Sequence, residues 1–143
     1  MKAERSLIQN TISTSIAGLL ALALTHRSYS AEHNERLEFL GDRVLGLAVS
    51  DLLYAAFPKA AEGELSQRLA ELVRKETCAD IATEWGVGDH VRLGGGEAQT
   101  GGAKKVAILG DVCESIIGAV FLDAGFEAVV PLSAHAVDVL RAA

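Results

Sequence analysis

Five carboxylates stand at spacings that could serve a hard metal ion. Glu35, Glu38 and Asp42 fall at i, i+3 and i+7, and Asp111 and Glu114 lie three residues apart. On a helix each set shares one side. Acids so spaced are common on solvated helix faces, so their neighbours decide the matter. At about 100° per residue, the stripe of Glu38 and Asp42 continues through Leu45, Val49 and Leu52, with Arg36, Arg43, Ser50 and Asp51 opposite. These acids face the core. The segment from Lys104 to Asp123 is apolar nearly all round, yet carries Asp111 and Glu114 in its middle, on a stripe with the small residues Ala107, Ser115 and Gly118 that admits another helix. A carboxylate in such a place must be protonated, paired or metal-bound. Neither helix has an arginine on its acid stripe, and Lys104 is the one base expected within reach, so ion pairing accounts for the acids less well than metal binding. Two core-facing acid pairs would supply charge and oxygen ligands to Mg²⁺, or to Mn²⁺ in its place, with water completing the shell.

The elements that must position these acids are helices. Apolar residues recur at helical spacing and no alternating run reads as a strand, so an all-α domain is expected. Helices are placed at about residues 3–13, 16–25, 33–56, 63–75, 77–86, 104–123 and 126–141, with Pro58 closing the third. The glycine-rich stretch from Gly86 to Gly102 is expected to be an irregular, mobile connector. It lacks the Gly-Lys-Ser/Thr ending of a phosphate-binding loop, so no nucleotide cofactor is expected.

The 143 residues suit one domain spanning 1–143, and 50% apolar against 22% charged residues suit an ordinary folded core. Cys78 and Cys113 stand far apart and outside any zinc or disulfide spacing, which fits a reducing cytoplasm. The longest apolar run, Ile16 to Leu24, is too short to cross a bilayer. A signal peptide is disfavoured by Glu4, by the polar stretch Gln9 to Ser15 and by His26-Arg27 just before any cleavage site. A net charge of −6 opposes simple nucleic-acid binding, so an RNA substrate would need positive charge from bound metal or from a separate binding domain.

Several segments resemble the ribonuclease III family. His33-Asn34-Glu35-Arg36-Leu37-Glu38-Phe39-Leu40-Gly41-Asp42 is similar to its signature motif, and the segment from Gly110 to Ala119, containing Asp111-Val112-Cys113-Glu114, to its second acidic motif. Ala23 to Ser28, Phe57-Pro58 with Glu62 to Ser66, and Ala119 to Asp123 also match, so nearly the whole chain is covered. The resemblance implies the endonuclease-domain fold, a helical bundle that forms a homodimer. It implies Glu38, Asp42, Asp111 and Glu114 as metal ligands, with Asp42 and Glu114 at the catalytic step. Glu35 would lie near the dimer interface, and Phe39, off the core stripe, would plug a socket in the partner subunit.

The implied activity is Mg²⁺-dependent hydrolysis of double-stranded RNA, leaving 5′-phosphate and 3′-hydroxyl ends with short 3′ overhangs, as in rRNA and mRNA processing. Arg27, His33, Lys104 and Lys105 are candidate RNA contacts or charge neutralisers. The chain stops at Ala143, so the double-stranded-RNA-binding domain of many bacterial members is expected to be absent from it. Two alternatives compete. An all-α nucleoside-triphosphate pyrophosphohydrolase also pairs acids on helices, but its pairs lie closer together. A non-catalytic RNA-binding scaffold typically loses acids that are all present here.

Overall fold

A computed structural model describes residues 15–142. Helix α1 spans Ile16–Ala23, α2 Glu35–Ala56, α3 Glu62–Val73, α4 Lys75–Glu84, α5 Gly95–Gln99, α6 Val106–Ala124 and α7 Phe126–Ala142, with 3₁₀ turns at Val87–His90 and Gly102–Lys104. The described residues contain no strand, and one isolated bridge joins Thr25 to Arg92. The all-α expectation therefore holds, while the helix expected at 3–13 lies outside the described residues.

Helix α6 forms the centre. Its side chains from Ile108 to Ala119 are buried almost without interruption, and it touches α1, α2, α4 and α7. Leu45, Val49 and Leu53 of α2 pack with Cys78, Ile81 and Ala82 of α4, with Cys113 and Ile117 of α6 and with Val129 of α7 to form the core. Burial of these residues, at roughly 1.5–3 kcal/mol for each large side chain, is the main force holding the helices together.

Local chemistry sets the ends. Phe57 closes α2 just before Pro58, and the Arg68 guanidinium lies 4.1 Å over the Phe57 ring, tying α3 to that corner. Glu62 and Glu64 sit in the first turn of α3, where carboxylates complement the helix dipole. The chain is extended at Arg74, so α3 stops at Val73 and α4 begins at Lys75. Lys75, expected as the last residue of one helix, is instead the first of the next.

The stretch from Gly86 to Gly102 is also more ordered than its composition suggests. It carries a 3₁₀ turn and α5, and it is pinned by Arg92, whose N–H donates to Leu24 O (2.7 Å) and whose carbonyl accepts from His26 N–H (3.0 Å). Buried Asn34 joins α1 to α2 in the same corner. Its side chain donates to Ala23 O, its N–H donates to Thr25 O, and its carbonyl accepts from the Ser115 hydroxyl of α6.

Candidate active site

Two glycines set the separation of α2 and α6. A Cβ on Gly41 would lie 1.6 Å from the Glu114 carbonyl oxygen, and one on Gly118 would lie 2.4 Å from that of Leu37. The helices thus touch backbone to backbone, as the small residues Ser115 and Gly118 on the acid stripe suggested. Ala107 of that stripe is exposed and lines the cavity instead.

This contact brings Glu38 of α2 to Asp111 and Glu114 of α6, with one carboxylate oxygen from each inside a 4.8 Å cluster. The buried face of α2 is centred on Leu37, Gly41, Val44 and Ala48, so Glu38 flanks the core and is partly exposed. Glu114 is buried outright.

The ammonium of Lys75 reaches into the cluster from α4. It donates to Glu114 Oε1 (2.9 Å) and Glu38 Oε1 (3.3 Å) and pairs with Asp111. Asp111 Oδ1 is sealed from solvent and has the Lys75 ammonium against it. The expectation that Lys104 was the base best able to reach the acids is therefore corrected. Lys104 ends a 3₁₀ turn, is exposed and borders a separate hollow with Thr83, Gly86 and Asp89, because Val106 rather than Lys104 opens α6. Ion pairing, which the sequence disfavoured, is present through Lys75.

Asp42, one turn beyond Glu38, turns an oxygen towards Arg43 Nη1 (2.5 Å) and stands outside the 4.8 Å cluster, yet is close enough to act on Glu114. The acids form the floor of a cavity of about 840 Å³ whose lining also includes His26, Arg27, Arg43 and Lys105. Arg27 and Lys105 therefore stand at the site, Lys105 paired with Glu97 at 2.6 Å. His33 is not part of the lining, and its Nδ1 faces the Glu35 N–H at 3.4 Å. Glu35 is exposed and pairs at 3.5 Å with Arg27. Phe39 is 63% exposed beneath the Arg43 guanidinium.

Sequence reasoning missed Lys75, His26 and Glu97. His26 bonds Ser28 at 2.7 Å, and Ser28 accepts from Gly94 N–H, so the site's edge depends on the crossing of two distant loops. Cys78 and Cys113 are free and buried. Hydrogen bonding to Cys78 and burial raise the Cys113 thiol, which makes thiolate chemistry there unfavourable.

Burial pushes the Glu114 carboxyl up to about 7 from its ordinary 4.5, against the pull of Lys75 and helped by Asp42. Burial and the Asp111 charge also raise Glu38. Burial alone would lower Lys75, but its hydrogen bonds to Asp111 and Glu114 outweigh this and hold it above its usual value.

A raised carboxyl makes the metal-free folded chain bind more protons than the unfolded chain between about pH 4.5 and 7. Its contribution is fully present below the lower value and is lost as pH rises through the upper. Denaturant unfolding in chelator should show this loss between pH 5 and 8, at most ~3 kcal/mol, and Glu114→Gln should remove most of it. Identical pH slopes for the two proteins would refute the assignment. Because a metal ligand must be ionised, cation affinity should rise over the same window.

Three converging carboxylates form a donor set suited to a hard divalent cation. Residues 17–136 match the family described as Ribonuclease-III-like. Ribonuclease 3 of Methylocella silvestris is 61% identical over 115 residues, which is 78% of this chain and 48% of that protein. Ribonuclease 3 of Azorhizobium caulinodans is 56% identical over 76% of this chain and 49% of its own length. The chain thus spans about half the length of the curated relatives it matches. The solved nuclease domain of ribonuclease III from Campylobacter jejuni superposes with a TM-score of 0.82 at 43% identity, covering 85% of this chain and 86% of that one. Dicer from Pichia stipitis gives 0.64 at 28% identity, covering 86% and 57%. The family match extends from the first turn of α1 into α7 and takes in every acid of the cluster, so the chain belongs to the ribonuclease-III-like family.

Proposed function

We propose that residues 1–143 form the catalytic domain of an endoribonuclease that hydrolyses double-stranded RNA with Mg²⁺, or with Mn²⁺ in its place. The observation carrying this reading is the convergence of Glu38, Asp111 and Glu114 on the floor of a cavity bordered by basic side chains. Asp42 is the fourth acid of the set, and Asp42 and Glu114 are assigned to the catalytic step. Glu38, Asp42, Asp111 and Glu114 would hold the cation, which would supply a hydrolytic water of lowered pKa and charge neutralisation at the scissile phosphodiester. Arg27, His26 and Lys105 at the rim would hold flanking phosphates, orienting the backbone over the acids. The products would carry 5′-phosphate and 3′-hydroxyl ends with short 3′ overhangs. Structured rRNA and mRNA in the cytoplasm would be the natural setting. Among the described residues no helix is long and apolar enough to cross a membrane.

The test sets long duplex RNA beside nucleoside triphosphates. Shortened RNA and intact nucleotides are expected, whereas pyrophosphate released from nucleotides with RNA untouched would overturn the assignment.

Cutting both strands calls for two centres, and a symmetric homodimer through α2 supplies them. Phe39, Leu47 and Tyr54 leave an exposed apolar stripe along that helix, with Arg43 stacked on its first ring. The matched Campylobacter jejuni nuclease domain has a region involved in dimer formation. Sedimentation should show a dimer at micromolar concentration, weakened about tenfold or more by Phe39→Ala through loss of a large aromatic contact. A monomeric wild type, or a variant that dimerises equally well, would contradict this interface.

A further inference from the structure

We infer that Lys75 is a built-in counter-ion of the acid cluster which a divalent cation must displace, so that loading the site exchanges one cation for another. This rests on the metal-dependent reading above. The Lys75 ammonium lies against Glu38, Asp111 and Glu114, the same three residues that converge within 4.8 Å. A hard cation takes carboxylate oxygens at roughly 2.0–2.6 Å, so it and the ammonium compete for one small space and repel each other within it.

The position of Lys75 supports a tertiary role. It is the first residue of α4, where a positive charge opposes the helix dipole, so local preference does not explain it. Room for its stem depends on Gly110, since a Cβ there would lie 2.7 Å from Lys75 Cδ. The side chain is 37% exposed and lines the cavity, which gives a displaced ammonium a route to solvent while its stem stays anchored. Without either cation, three carboxylates would face one another with Glu114 buried among them. Lys75 is thus a positioning residue for the empty site and a competitor for the loaded one.

The test is Lys75→Met, which keeps an unbranched stem and removes the charge. Melting is measured in chelator and across a Mn²⁺ titration, and Mn²⁺ affinity is measured directly by calorimetry without RNA. In chelator the variant should melt below the wild type. It should bind Mn²⁺ about tenfold more tightly, because the wild type's apparent affinity is reduced to the fraction of molecules whose site is open, and an open fraction near 0.1 gives that factor. It should also gain more in melting temperature at saturating Mn²⁺.

If the variant is unfolded in chelator, restoration of wild-type melting by Mn²⁺ supports the exchange, and failure to restore it overturns the exchange. Equal or weaker Mn²⁺ affinity in the variant, or unchanged melting in chelator, also overturns it while leaving the metal site intact. If neither protein binds Mn²⁺, the metal-dependent reading itself fails and the exchange falls with it.

Discussion

Gly41→Ala should unfold or severely loosen the protein. The new methyl would sit 1.6 Å from the Glu114 carbonyl oxygen and 2.9 Å from the Gly118 nitrogen, and both are backbone atoms of the central helix. No side-chain rotation can relieve that overlap. The helices α2 and α6 would have to separate, opening the Leu45, Val49 and Ile117 core and moving Glu38 away from Asp111. Overpacking a tight core typically costs ~1–3 kcal/mol, and a backbone collision of this depth belongs at or above the upper end. At about 4 °C per kcal/mol for a domain of this size, melting should fall by roughly 10 °C or more. Gly63→Ala is the control. It lies in α3 with open space around its Cβ position, and should be neutral or stabilising by up to about 1 kcal/mol. A Gly41→Ala protein that melts like the wild type would mean that α2 and α6 do not touch as described.

Glu114→Gln should lower duplex-RNA cleavage by at least ~1,000-fold, equivalent to about 4 kcal/mol of transition-state stabilisation, without loss of the fold. The amide has the shape of the carboxyl but removes the most buried charge of the cluster. Structurally the exchange is mild. Burial already favours the uncharged acid, the amide oxygen can still accept from Lys75, and the amide nitrogen can donate to Asp42. Melting in chelator at neutral pH should therefore match or exceed that of the wild type. Undiminished cleavage at ordinary Mg²⁺ would remove Glu114 from the site. Lost cleavage together with an unfolded protein would make its role structural.

What the sequence discloses here is what a single helix can disclose. A 3.6-residue period separates Leu45, Val49 and Leu52 from Arg43 and Asp51, although the structure buries Leu53 and leaves Leu52 half-buried, and it marks α6 as buried, so both acid-bearing helices are legible from spacing. The same period places Glu38 and Asp42 on the core stripe when they in fact flank it, because a stripe has no sharp edge. Phe39 stands out as an aromatic residue off the stripe, and it is exposed.

Lys75 is illegible for two separate reasons. The break at Arg74 involves neither glycine nor proline, so α3 and α4 do not separate in the pattern. The distance from Lys75 to Glu38 and Glu114, 37 and 39 residues along the chain, is set by tertiary packing alone. The ordering of the stretch from Gly86 to Gly102 is hidden likewise. The hydrogen bonds of Arg92 with Leu24 and His26 connect backbone groups, which composition does not report.

The most direct test of the account is cleavage of long duplex RNA by the wild-type chain, at low salt, in Mg²⁺ and in excess chelator. Low salt is required because a chain of net charge −6 holds a polyanion through few contacts, each weakening affinity by ~0.9 log units per log unit of salt on B-form duplexes. The account predicts short duplex products with 5′-phosphate ends in Mg²⁺, no cutting in chelator, and recovery of cutting when Mn²⁺ is supplied. Cutting that persists in chelator, or duplex RNA left whole in Mg²⁺ by a correctly folded protein, would contradict it.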